Sequence, residues 1–562
     1  MHEDPLARYV RNPGPKRPVV GLRAACSTDN AIVTETVLKV LSAGGNAADA
    51  AIAGSLVQSA VEPYMTNLTG TVTFLYYEAE TTRLYQLDSV GTFPAGLRPF
   101  KPIPRMSSGY GTNPPSACIP GCMPGLKAIH ERFGTKPWAW LCEDAIRWAE
   151  QGHPVTSLEY GSNTRGQDFE AFFPEGRRFY MPDGYLVPVG GIFRHPEMAA
   201  TLRGVAAEGP DYMIIGGWAK HFVAKANQMG WAIEMRHMIA TPPRWIEPLR
   251  FRHQEYEVVS LAPPEQQGVL CAIVLGILSH LGIRDVMPRS PEHIFFMGHA
   301  LRYGLYHCGF IGDPVVSDYA IAQLIDDDFH RMAAHMIKGM RPKVDLSDHV
   351  RLTAGPGEAT FVNPTAGEPT GAIDEAPSAG SCELSIVDAR GNWVQMMTTL
   401  QSGGIPGMVV GGVPMVGSHA GFGGLTGWMD TRIVEGARPR CVIGNTMVLK
   451  DGKPVYALGT PGNCFCTVPQ VLTYLLDFKL APYDAIDAPR MLPLAEDGSV
   501  TVEDRLSPEC LNGLARMGVR VRAVPQYNYQ MGSFQMCFTD ERSGGFGALA
   551  DPRRCGVADG FP

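Results

Sequence analysis

Ser381 offers the clearest chemistry in this chain because of what precedes it. From about Lys343 to Gly380 the sequence is rich in Gly, Pro, Thr and Asp and has no hydrophobic period. Unpatterned runs of that length are unusual inside a compact domain and are often functional or processed. The run leads straight into Ser381 to Asp388 (SCELSIVD), which alternates like a strand. A cut between Gly380 and Ser381 would free an α-amine on Ser381. Such an amine, with an ordinary pKa of about 7.7, can take the proton of its own residue's hydroxyl, so one residue supplies nucleophile and base. Gly380 tolerates the backbone conformations that self-cleavage requires. Cys382 is the alternative nucleophile, one residue on. The plain reading is a loop entering an edge strand, and these residues alone leave it open. Alternation separates the two candidates: Ser381 shares a strand face with Glu383 and Ser385, and Cys382 shares one with Leu384 and Ile386. Cys382 is expected in the core and Ser381 in a site.

Other catalytic signatures are missing. There is no GxGxxG, GxxxxGK[ST], HExxH or GxSxG, and the 15 histidines are scattered without a role. The 13 cysteines include only two close pairs, Cys118/Cys122 and Cys464/Cys466, neither with CxxC spacing or a nearby His. They make neither a disulfide framework nor a zinc site, and buried reduced thiols are the simpler reading. No metal and no cofactor are expected. A net charge of −8 without a basic cluster argues against nucleic acid as a partner. The longest apolar run, Gly268 to Leu278, is about half of what spans a membrane. The N-terminal MHEDPLARYVRNPGPKRPVV lacks the apolar run of a secretory signal, so a cytoplasmic protein is expected.

The elements that must position Ser381 follow from periodicity. Residues 1–20 read as an irregular arm. Ile32, Val33, Val37, Leu38, Val40 and Leu41 form a helical stripe that Gly44 and Gly45 end; Asn46 can cap a second, small-residue helix. Thr71 to Tyr77 and Arg83 to Asp88 alternate as strands. Residues 120–340 are mostly helical in texture, with a strand over Tyr256 to Leu261. After Ser381 to Asp388, ARGN makes a turn into Trp393 to Leu400, a hairpin. Met447 to Leu449 and Pro454 to Leu458 make another, a helix covers Thr467 to Leu476, and Ser499 to Glu503 and Gly544 to Ala550 close the sheet. Hairpins dominate, which predicts an α+β layered body rather than a doubly wound one.

The sequence resembles the gamma-glutamyltransferase (glutathione hydrolase) family from about Ala25 to the end. The matches are collinear: Leu41-Ser-Ala-Gly-Gly-Asn-Ala-Ala-Asp-Ala-Ala, Val61-Glu-Pro, Pro124-Gly, Phe133-Gly-Thr, Ala262-Pro-Pro with Gly268, and Gly312-Asp-Pro. They continue with Ser385-Ile-Val-Asp, Gly391-Asn, Thr399, Gly459-Thr-Pro-Gly, Ala488-Pro-Arg, Met531-Gly-Ser with Gln535, and Ala550-Asp-Pro-Arg. The resemblance implies a four-layer αββα N-terminal nucleophile (Ntn) hydrolase fold. It implies a proenzyme in which an arm (1–24), a large-subunit portion (25–380) and a small-subunit portion (381–562) build one interleaved domain, used as the two-subunit pair or as a homodimer of it.

Carried over residue by residue, the family's nucleophile falls seven positions before Asp388, on Ser381. Thr399 matches a second threonine that hydrogen-bonds the nucleophile and assists processing. Gly462 and Asn463 match a Gly-Gly pair whose N–H groups form the oxyanion hole. The family's carboxylate-binding Arg falls at Val90, in Asp88-Ser-Val-Gly-Thr-Phe-Pro. Its Ser-Ser pair falls at Cys441 and Val442, its Asn at Gln401, and its ammonium-binding Asp at Thr431, beside Asp430. Loss of a bidentate Arg–carboxylate contact and its supporting hydroxyls should remove several kcal/mol of binding. The site is apolar around Val90, Phe93, Trp428, Cys441 and Val442. The expected function is a self-processing amidohydrolase or acyltransferase acting through an acyl-enzyme on Ser381, with a small-molecule amide or acyl substrate other than glutathione. Alternatives left open are a true γ-glutamyl enzyme with an altered pocket, a carbon–carbon hydrolase, and an uncut, inactive binding protein.

Overall fold

The computed structural model describes residues 6–93, 101–102, 112–113, 118–316, 318–340, 381–400, 407–415, 434–439, 441, 443–461 and 464–562. Gly380, Gln401, Trp428, Asp430, Thr431, Val442, Gly462 and Asn463 lie outside the described residues.

Fourteen strands make two seven-stranded sheets. They are β1 (Val19–Leu22), β2 (Ala24–Thr28), β3 (Thr71–Glu78), β4 (Arg83–Ser89), β5 (Arg244–Ile246), β6 (Leu249–His253), β7 (Tyr256–Ser260), β8 (Ser381–Val387), β9 (Trp393–Thr399), β10 (Thr446–Lys450), β11 (Lys453–Gly459), β12 (Gln535–Asp540), β13 (Gly545–Ala550) and β14 (Val557–Phe561). The first sheet runs β14-β2-β8-β9-β3-β4-β5 and the second β1-β13-β12-β11-β10-β7-β6. Every pairing within them is antiparallel. Leu75, Met397 and Trp393 of the first sheet, with Val90 just past β4, pack with Val259, Met447, Ala457 and Cys537 of the second, so the sheets stack face to face. Each sheet takes strands from both sides of residue 380, so neither portion completes a sheet alone.

Helices cover both outer faces. Against the first sheet lie α1 (Ala31–Ser42), α2 (Ala47–Val61) and α3 (Cys122–Phe133), with α4 (Trp138–Gln151) packed on α2 from outside, all in one core with Leu384, Ile386, Val394 and Met396. A further helix, α5 (Ser157–Glu170), follows α4. Against the second sheet lie α6 (Gln267–Leu281) and α8 (Cys464–Leu472), and α7 (Pro291–Cys308) packs on α6 from outside. The result is the αββα arrangement expected from the sequence. The caps follow local chemistry. Asn30 accepts the Ile32 N–H at the start of α1, and Asn46 and Asp49 form a reciprocal capping box on α2. Every residue of α2 is buried, which its small side chains permit.

Several details differ from expectation. β5 and β6 interrupt the supposedly helical stretch; they are short, half-exposed edge pieces with little period to read. Ser499–Glu503 joins neither large sheet, pairing in parallel with Arg520–Val524 as a separate ribbon. β12 and β14 escape the sequence pattern. The run Gly268 to Leu278 is the buried middle of α6, and among the described residues no helix is long and apolar enough to cross a membrane.

Candidate active site

Hairpin pairing sets the register: Ser381, first in β8, lies opposite Thr399, last in β9. The Ser381 hydroxyl donates to Thr399 Oγ1 at 2.9 Å, and Ser381 is 6% exposed, at the rim of the sheet. The approach is tight on the far side of β9, where a Cβ on Gly70 would come within 2.1 Å of the Thr399 carbonyl oxygen. Ser381, Glu383 and Ser385 face the second sheet. Glu383 accepts from Gln395 and Asn445, and Ser385 donates to the Ala457 carbonyl.

Cys382 points the other way. Its side chain is fully buried with Tyr64, Met65 and Leu158, and its thiol donates to Glu62 Oε2 at 3.4 Å. Burial, with the Glu62 and Asp29 carboxylates beside it, pushes the thiol well above its usual pKa. A thiol becomes a good nucleophile as its thiolate, and this environment disfavours that form.

Three buried ionisable groups that sequence reasoning missed surround the start of β8. Asp29, just past β2, accepts the Glu383 N–H at 2.7 Å, the Gln535 amide at 2.9 Å and the Ser533 hydroxyl at 3.1 Å. Burial pushes it up to about 6, although Arg554 and these hydrogen bonds pull it down. Glu62, at the end of α2, is pushed up to about 8, first by burial and then by Asp29. Arg554, 1% exposed, donates from Nη1 to the Ser381 carbonyl oxygen at 3.2 Å.

The C-terminal motifs form a brace behind this group. Arg490 and Arg553 pair with Glu503 and Asp551 in an interior where all four are buried. Arg490 also donates to the Met531 carbonyl at 2.8 Å, and Asp551 accepts the Phe534 N–H at 2.9 Å. The segment so fixed carries Ser533, which reaches Asp29, and its N–H donates to Thr460 Oγ1 at 2.6 Å. Ala488-Pro-Arg, Met531-Gly-Ser and Ala550-Asp-Pro-Arg are thus one buried polar unit.

Val90 sits at the same sheet end. Its carbonyl accepts from Thr71 Oγ1 at 3.2 Å, and Thr71 is paired with Thr399 across β3 and β9. Three strand steps of about 4.8 Å each separate it from Ser381. Val90 and Cys441 are both fully buried in the apolar core between the sheets, with Leu261, Ile443 and Met397. Phe93 packs in a separate small cluster, on Cys118 and Ala437. Two residues before Val90, buried Asp88 takes Arg244 at 2.7 Å and Arg438 at 3.0 Å, and Arg244 bridges on to Asp313 at 3.0 Å. These arginines are held in ion pairs beside the Val90 position, and Val90 itself offers no charge.

The described geometry therefore unites Ser381 with Thr399, buries Cys382, and unites Val90 with Cys441. The family model for gamma-glutamyltranspeptidase matches residues 33–561, nearly the whole chain. The chain belongs to the gamma-glutamyltranspeptidase family. It is an enzyme of the hydrolase and acyltransferase class to which that family belongs. Among similar proteins, the glutathione hydrolase proenzyme of Bacillus subtilis (strain 168) is 23% identical over 559 residues, covering 96% of this chain and 92% of the relative. The acylase ACY 1 proenzyme of Pseudomonas sp. (strain SE83) is 24% identical over 541 residues, covering 93% and 91%. The crystal structure of cephalosporin acylase from Bacillus halodurans superimposes with a TM-score of 0.82 at 21% identity, over 100% of both chains, which shows the shared Ntn hydrolase fold.

Proposed function

We propose that this family member is a self-processing amidohydrolase or acyltransferase whose acyl group is not the γ-glutamyl group of glutathione. Ser381 Oγ attacks the substrate carbonyl, and its own freed α-amine takes the proton and later returns it to the leaving amine. Thr399 orients the hydroxyl. The N–H groups of Gly462 and Asn463 receive the oxyanion, each such donor contributing about 3–4 kcal/mol to the transition state. Val90, Gln401, Asp430, Thr431, Cys441 and Val442 shape the acyl site. Water or an amine then takes the acyl group. The proenzyme names of the relatives support cleavage before Ser381, and the relatives span both glutathione hydrolases and acylases.

The observation that carries the substrate reading is the packing of Val90 and Cys441 in a closed apolar core. With both side chains turned into that core, and Arg244 and Arg438 paired with Asp88, neither position offers a γ-glutamyl carboxylate an ionic partner to replace its lost water. The test compares L-γ-glutamyl-p-nitroanilide with p-nitroanilides of uncharged aliphatic and aromatic acids. At least one uncharged acyl group should exceed the γ-glutamyl compound by about 10²-fold or more in kcat/KM. The γ-glutamyl anilide as the best substrate of the series would refute the reading.

A further inference from the structure

The backbone N–H and C=O of one strand residue point toward the same neighbouring strand, and those of the next residue point away. In β8 the groups of Ser381, Glu383 and Ser385 face β2. β2 ends at Thr28, which pairs with Leu384, so the catalytic end of β8 extends past its partner. Two side chains complete the ladder. Asp29 takes the Glu383 N–H at 2.7 Å, and Arg554 gives Nη1 to the Ser381 carbonyl at 3.2 Å. The nitrogen of Ser381 faces that same side.

Arg554 is unlike the other deeply buried arginines. Arg490 and Arg553 are each in salt bridges, whereas among the described residues no carboxylate lies within 4 Å of Arg554. Its contacts are the Ser381 carbonyl and Met65 Sδ at 4.0 Å, and its Nε has no hydrogen-bond partner. A buried guanidinium without an ion pair is costly and calls for a reason.

We propose that Arg554 is a positioning residue for the nucleophile: it holds the Ser381 peptide in strand geometry and, as a fixed cation beside the α-nitrogen, keeps the freed amine unprotonated. This rests on the reading that cleavage frees Ser381. The amine must be neutral to accept the Oγ proton as the new C–O bond forms, and the resulting ammonium must return that proton to the leaving amine. A neighbouring cation favours both by disfavouring the ammonium. The other ionisable groups around this point are Asp29 from the end of β2, Glu62 and Tyr64 at the end of α2, Glu159 of α5, and Cys382 and Cys555. Glu62, pushed up to about 8, is mostly uncharged near neutrality, which leaves the Arg554 charge less opposed.

The test uses p-nitrophenyl acetate, a reactive ester that demands little of the acyl pocket, and reads the pH dependence of acylation after subtracting the rate of Ser381→Ala. The wild-type acid limb should have its midpoint below about 7.7, the ordinary α-amine value. Arg554→Gln keeps N–H donors but not the charge, and should move that midpoint up by about one pH unit. Arg554→Lys keeps the charge and should leave the midpoint in place while lowering the plateau. Coincident midpoints for Arg554→Gln and wild type would overturn the proposal. Should Arg554→Gln stay uncut, the wild-type midpoint decides, and a value at or above about 7.7 overturns it. An uncut wild type, or acylation undiminished in Ser381→Ala, would instead sink the Ser381 reading itself.

Discussion

Two regions on one rim of the first sheet are built in opposite ways. At the start of β8 the interior is polar and hydrogen-bonded: Ser381 to Thr399, Glu383 to Asp29, Cys382 to Glu62, and Arg554 to the Ser381 carbonyl. Three strand steps away, at the end of β4, Val90 and Cys441 close an apolar core, and the nearby arginines are already committed to Asp88 and Asp313. Buried polar groups are expensive unless satisfied, so a polar cluster persists where chemistry needs it. An apolar patch carries no such cost and offers a charged group no partner. The contrast teaches that one rim of a sheet can hold a satisfied polar cluster and a closed apolar core side by side; on the proposed function, the first serves acyl transfer and the second acyl recognition.

The largest expected effect comes from the polar side. Ser381→Ala should abolish cleavage and lower turnover by roughly 10⁴-fold or more, because nucleophile and base leave together. Full turnover in that variant would place the chemistry elsewhere. On the apolar side, Val90→Arg would put a cation into a closed apolar core in which the nearest strand carboxylate, Asp88, already holds Arg244 and Arg438. It should lose about 3–5 kcal/mol of stability in a denaturant titration and gain no γ-glutamyl turnover. A stable Val90→Arg protein that hydrolyses γ-glutamyl anilide efficiently would break the contrast.

The smallest effect sharpens the polar side. Glu62 is pushed from 4.5 to about 8 by burial, so the folded state holds a proton that the unfolded chain releases. Stability from this group is full below about 4.5 and is lost as pH rises toward about 8. Glu62→Gln, neutral at every pH, lacks that loss. Its unfolding free energy relative to wild type should rise by on the order of 1–3 kcal/mol between pH 5 and 8. Parallel stability curves would mean that Glu62 is not held protonated.

The hairpin at the centre of the site was legible in the sequence because both strands have a period of two and a short turn joins them. Their pattern alone sets Ser381 on one face and Cys382 on the other, as found. The Asn46 cap was legible for a similar local reason. What could not be read was long-range. Cys382 meets Glu62 across 320 residues of chain, and Asp29 meets Ser533 across 504. β14 is half-buried and carries Asp and Gly, so it has no strand signature until β2 supplies its partner. Arg554 follows a motif that the family resemblance identifies, yet nothing local separates it from Arg553. Only the end of β2 leaves a place for it.

The central claim is that Ser381 is the freed nucleophile, and N-terminal sequencing of the purified protein's smaller chain tests it most directly. Two chains are expected, 1–380 and 381–562, the smaller reading Ser-Cys-Glu-Leu from Ser381. A smaller chain that begins at Cys382, or a single uncut chain that turns over an amide, would contradict it.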